Sequence, residues 1–172
     1  MQIIPLILLS VSVLLLVLGV FLWFLEVYEK WTSPLSAHYK INCSKTHLAK
    51  TIIRWGLINI RPSGKKESVN FKIYYHLNKK KLGVFYGSRK EIVLYVNNHQ
   101  QVQELIDTSL HEVIHYKQYL SNPKSFEKEY HQLLSSIGYQ HHPMEEEARK
   151  LAAEYAPACL EYLLAQNVII KQ

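Results

Sequence analysis

The chain has 172 residues, 48% of them hydrophobic, and carries 20 Lys and Arg against 14 Asp and Glu for a net charge of +6. This suits one globular domain with an appendage. The lysines are scattered ("GKKES", "NKKKLG", "SRKE") near turn signals, so they read as a solvated surface beside anionic headgroups and not as a nucleic-acid interface. Cys43 and Cys159 have no CxxC spacing and read as two unpaired thiols.

The appendage comes first. Residues 1–25 carry no charged side chain, and Ile3 to Leu25 is almost wholly apolar. At ~1.5 Å per residue a helix of that length spans ~34 Å, enough to cross a hydrocarbon core. Trp23, Tyr28 and Trp31 stand where such a span would leave the bilayer, and Pro5 falls in the first turn, where a helix tolerates it. The segment before the run has no Lys or Arg and no small-residue cleavage site follows, so a retained anchor is expected rather than a signal peptide. Lys30, Lys40 and Lys45 follow the span, which by the positive-inside tendency places the C-terminal domain on the cytoplasmic side. The expected organisation is therefore a single-pass anchor over 1–27, touching the membrane through residues 3–25, a linker over 28–43 and a domain over 44–172.

Within the domain, "SKTHLAKTIIRWGLINI" spaces Leu48, Ile52 and Trp55 for a helix, with Ser44 as N-cap. "RPSGKKES" reads as a loop. "NFKIYYHL", "LGVFYGS" and "EIVLYVN" read as three strands in a largely antiparallel meander. From Gln101 the apolar period changes. Val102, Leu105, Ile106, Leu110, Val113 and Ile114 predict a helix ended by "SNP" at 121–123. Phe126, Tyr130, Leu133, Leu134 and Ile137 predict a second, closed by Gly138. A third starts at Pro143, runs through Met144, Ala148, Leu151, Ala152 and Tyr155, and is expected to break or kink at Pro157. The class is α+β, with a small sheet early and helices late.

The chemistry centres on "SLHEVIHYKQYL", where His111, Glu112 and His115 form HExxH. Residues i and i+4 share a helix face, so both imidazoles can reach one Zn2+ at ~2.0–2.1 Å. Glu112 then stands beside the open position, where zinc lowers the pKa of a water and the carboxylate takes its proton. Two incidental histidines on an amphipathic helix are the bland alternative in a chain with nine. A third ligand is owed, and "HHPMEEEARKLAAEY" offers it. Against the apolar stripe of that helix, at ~100° per residue, Glu146 points away, Glu145 lies ~65° off centre and Glu147 ~95° off on the other side. Glu145 is the expected ligand and Glu147 the runner-up.

HExxH in one helix, followed about thirty residues on by a glutamate in a later helix within "P-x-E-x-E-A", resembles the gluzincin zinc peptidases over residues ~90–156. The resemblance implies a zincin-like metallopeptidase domain, with His111, His115 and Glu145 as zinc ligands, Glu112 as base, and a peptide or protein substrate paired to an edge strand at "EIVLYVN". One position departs from the pattern. Four residues after the ligand glutamate many members carry an aspartate that orients a zinc histidine, but Arg149 follows Glu145 at that distance and Leu151 follows Glu147. An arginine cannot accept a histidine N–H. Tyr130, His131, Tyr139 and His141 are candidates for a transition-state donor. The expected function is a membrane-anchored zinc-dependent endopeptidase. The alternative is a non-catalytic, membrane-tethered binding domain with a structural zinc, and no nucleic-acid partner is expected.

Overall fold

The protein is described from a computed structural model that places residues 39–60, 68–78 and 81–172, all of which fall within one unit, Pro34–Gln172. The stretch expected as a linker ends in a strand, β1 (Tyr39–Ile41). Helix α1 (Lys45–Asn59) begins where the sequence signals it: Ser44 is extended, and its Oγ accepts the His47 backbone N–H at 3.1 Å. Its inward face buries Leu48, Ile52 and Ile53 completely.

Strands β2 (Asn70–Tyr74), β3 (Gly83–Tyr86) and β4 (Glu91–Tyr95) stand at the three predicted places, but the meander is corrected. The sheet order is β2-β4-β3, with β2 and β4 parallel and only β3 and β4 antiparallel. The cause lies in burial. β4 is an unbroken apolar run after Glu91 and takes the centre, where both faces are covered. β2 alternates exposed and half-buried residues and takes an edge. "EIVLYVN" is therefore the central strand, and the expectation of an edge strand there is overturned. Glu91, buried at the start of β4, is neutralised by Lys72 at 2.8 Å and Arg89 at 3.4 Å.

Three helices follow. Helix α2 (Val102–Ser121) opens on a capping box between Gln101 and Glu104 and packs against α1 and the sheet through Leu105, Ile106, Leu110, Val113 and Ile114. Helix α3 (Phe126–Ile137) ends at Gly138, whose φ of 75° is one that a side chain would resist. Helix α4 (Pro143–Ala165) starts at the predicted proline. It does not break at Pro157. Proline removes the bond to the carbonyl of residue 153, but both residues lie on the solvent face, where water can satisfy that carbonyl. Meanwhile Ala152, Ala156, Cys159 and Leu163 stay buried along the opposite side. The last strand, β5 (Ile169–Lys171), pairs antiparallel with β1 and had no sequence signal.

The membrane expectations are corrected as well. Among the described residues no helix is long and apolar enough to cross a membrane. The longest, α4 and α2, have the length but carry charges such as Glu145, Glu146, Arg149 and Lys150 in α4 and Glu104, Asp107 and Lys117 in α2. The run expected as an anchor, 1–27, lies outside the described residues. A single-pass membrane protein is thus not supported, and the fold class is α+β, mostly helical with a small sheet.

Candidate metal centre

One face of α2 is apolar and packed; the other carries His111 and His115 toward α4 and Glu112 toward β3. The spacing of four residues sets the two imidazoles edge to face, with ring centroids 4.6 Å apart, planes at 87° and Nε2 atoms 3.0 Å apart. Glu145, in the first turn of α4, meets them with both oxygens: Oε2 lies 3.1 Å from His111 Nε2 and Oε1 3.1 Å from His115 Nε2. Of the three neighbouring glutamates only Glu145 is buried, at 2% exposure, while Glu146 and Glu147 face solvent. The choice by helical phase agrees with this placement.

Does this cluster fit a metal? Donor atoms each ~2.0–2.1 Å from a tetrahedral ion lie ~3.3 Å from one another, close to the separations found. Glu145 Oε2 is buried without a hydrogen-bond partner, although His111 Nε2 lies 3.1 Å away. A buried carboxylate oxygen left so is costly unless a cation completes it. The group of His111, His115 and Glu145 can therefore hold a metal ion, and its two nitrogens and one carboxylate leave a position open. That donor set suits zinc but does not by itself single it out from other divalent metals.

The electrostatics follow from burial and proximity. Burial works to raise the Glu145 carboxyl, but the His111 and His115 rings outweigh it and hold the acid well below the usual range. Burial pulls His115 down, yet its bond to Glu145 and the Glu112 charge outweigh that, and its pKa ends raised. Glu112, 6% exposed, is pushed up by burial; the two histidines and the Phe85 backbone N–H counteract only part of this. A carboxylate with a raised pKa holds a proton more readily.

Two further groups hold these side chains in place. The Tyr130 hydroxyl donates to Glu145 Oε1 at 2.6 Å. His115 Nδ1 lies 2.8 Å from Gln118 Oε1. Neither role was read from the sequence. Gln118 sits one turn after His115 on the same helix face, and that spacing was the available signal. Of the donor candidates, Tyr130, His131 and Tyr139 line a cleft of about 900 Å³ in front of the histidines. Burial, then Glu145, pushes the Tyr139 hydroxyl up to about 12. His141 is exposed and away from the cleft wall. His142 instead caps α4, its Nδ1 accepting from the Met144 N–H at 3.2 Å while Nε2 donates to the Tyr130 carbonyl at 3.0 Å.

The opposite wall of the cleft is β3 together with the residues on either side of it. Among the described residues β3 pairs with β4 on one side only, so it, and not β4, is the sheet edge presented to the site. Comparison with protein-family models, with curated proteins and with solved structures finds no match for this chain.

Proposed function

We propose that this protein is a metal-dependent hydrolase of peptide bonds, with zinc held by His111, His115 and Glu145. One observation carries the reading: a three-donor metal group stands beside a buried carboxylate, Glu112, on the wall of a cleft bordered by the edge strand β3. A purely structural metal needs neither the carboxylate nor the cleft. The resemblance of the motif and its later glutamate to gluzincin peptidases supports the same reading.

A zinc ion bound there supplies a Lewis acid and lowers the pKa of water at the open position. Glu112, buried on the cleft wall, would serve as the general base that takes a proton from the attacking water and returns it to the departing amine. β3 offers to an extended peptide the outward backbone groups that the Glu112 bond to Phe85 leaves unused, and pairing along that edge aligns the scissile bond with the cleft floor. Tyr139, which lines the cleft, donates a hydrogen bond to the oxygen that gains charge in the transition state, because the Tyr130 hydroxyl hydrogen is already given to Glu145.

The test combines metal analysis with cleavage of a peptide library. The parent is expected to bind about one zinc, in line with a three-ligand catalytic site. His111→Ala is expected to lose it. Glu112→Gln keeps the metal and loses hydrolysis by ~10²-fold or more, the lower range for a general acid–base group. Unchanged zinc content in His111→Ala removes the metal assignment; a Glu112→Gln that cleaves at the parental rate removes the chemistry.

A further inference from the structure

We propose that Gln118 is the residue that positions the metal ligand His115, and that Glu147 and the Met144 carbonyl lock it in that duty. The inference rests on metal binding at His111, His115 and Glu145 but not on hydrolysis. It begins with an amide whose orientation is dictated. Gln118 Nε2 lies 2.9 Å from the Met144 carbonyl oxygen and 2.9 Å from Glu147 Oε2. Both are acceptors without a hydrogen to give, so the end of the amide that faces them must be NH2. Gln118 Oε1 is left to face His115 Nδ1 at 2.8 Å, and an amide oxygen can only accept.

The tautomer of His115 then follows. Its Nδ1 carries the hydrogen, and in the neutral ring Nε2 keeps the lone pair that faces His111 Nε2 and Glu145. A ring in the other tautomer would set a hydrogen where the metal must sit. A free imidazole also pays to select one tautomer and one ring angle on binding. Here both are selected in advance by a side chain from the same helix.

This also accounts for the departure at residue 149. Arg149 donates to the Gln140 carbonyl at 3.2 Å and cannot accept from a ligand histidine. The orienting acceptor has moved from α4 to α2, and α4 contributes instead the two acceptors that hold the glutamine. Met144 and Glu147 flank the ligand Glu145 in sequence, so one turn of α4 supplies a ligand and also fixes the partner of another. Glu147 is exposed, which sets a carboxylate at the solvent end of the chain His115–Gln118–Glu147. Its pull on the NH2 makes the Gln118 oxygen a stronger acceptor.

Zinc affinity is measured by competition with a chromophoric chelator, and the cobalt(II) visible spectrum reports the geometry of the donors. Thermal unfolding of each metal-free variant checks the fold. Gln118→Met keeps the length of the side chain but has no acceptor. It is expected to weaken zinc by ~10–100-fold, the usual effect of losing such a partner, and to alter the cobalt spectrum. Gln118→Glu keeps an acceptor for His115 but sets it against Glu147, so affinity falls as well. Gln118→Glu with Glu147→Gln exchanges donor and acceptor across that contact and is expected to recover part of the loss, the rest persisting because the Met144 carbonyl still faces an acceptor. A merely structural role for Gln118 predicts no such recovery. Parental affinity in a folded Gln118→Met overturns the proposal while leaving the metal site standing. If that variant does not fold, the two carboxylate variants decide: a double variant no better than Gln118→Glu overturns it. A parent that binds no metal overturns the metal site and this proposal together, and that is seen before any variant is made.

Discussion

Gly83 stands where β3 passes closest to α2, and adding a single methyl there is a stringent probe of the cleft. A Cβ at this position would lie 2.9 Å from Leu94 Cδ2, 2.9 Å from Thr108 Cγ2 and 3.0 Å from Glu112 Cγ. Carbon atoms prefer ~3.5–4.0 Å, so each contact is ~0.5–1 Å too short and something must shift. Leu94 is fully buried in the core and has little room. Thr108 is half-buried and can give way; Glu112 yields only by moving the carboxylate from its place beside the histidines. Overpacking of this kind costs ~1–3 kcal/mol, which for a domain of this size lowers Tm by roughly 3–12 °C. None of the three crowded atoms belongs to a metal ligand. Gly83→Ala is therefore expected to keep its zinc, unfold at lower temperature, and lose hydrolysis by ~10–10² because the base is misplaced by a fraction of an ångström or more. Adding Thr108→Ser removes one of the three clashing atoms and should restore part of both losses. Calorimetry, metal analysis and peptide hydrolysis on the three proteins decide it. A Gly83→Ala with parental Tm and parental turnover would refute the close approach of β3 to Glu112.

Two further outcomes are expected. Glu145→Gln should lose stoichiometric zinc while Glu147→Gln keeps one zinc at reduced affinity; the reverse result, read by metal analysis, would move the third ligand two residues along α4. Cys159 is fully buried, and that burial raises its thiol from 9.0 to about 12. The unfolded chain therefore ionises first: the contribution is complete below pH 9 and declines by ~1.4 kcal/mol per pH unit until the folded thiol itself titrates. The stability difference between the parent and Cys159→Ala, followed by denaturant titration, should shrink along that slope; a difference constant to pH 11 would show the thiol is not sequestered.

How far these features were legible depends on what each signal encodes. Helix caps are local chemistry, and Ser44, Gly138 and Pro143 each stand at the helix boundary their type predicts. Strand existence is local too, but strand order is not. The alternation of β2 and the unbroken apolar run of β4 already separated an edge from a centre, and reading the three runs as a meander ignored that difference. β5 was missed because three residues carry no period, and its pairing with β1 joins opposite ends of the described chain. Pro157 misled for a different reason: the rule prices the lost hydrogen bond, whereas the outcome depended on which face of α4 bore it.

The same limit acts at the site itself, through α3. Its apolar stripe is as regular as that of α2, yet among its residues only Phe126 is buried. Phe126, Tyr130 and Leu134 line the cleft and do not pack into the main core. Periodicity reports that a face avoids water in some state of the protein; it does not say whether the covering surface is the protein or something bound to it. For α2 the ambiguity is resolved within the sequence, because His111, Glu112 and His115 mark the face that leaves the core. For α4 it is resolved by phase, because a carboxylate ~65° from the apolar centre can be buried only beside a compensating charge, and two histidines are what it meets. α3 carries no such marker. Its half-covered stripe, held to the rest of the site by the Tyr130 bond to Glu145 and the His142 bond to the Tyr130 carbonyl, is what an apolar substrate side chain would complete. On the proposed reading the stripe left for a substrate is therefore the least readable part of the site, since the sequence records its chemistry only as hydrophobicity.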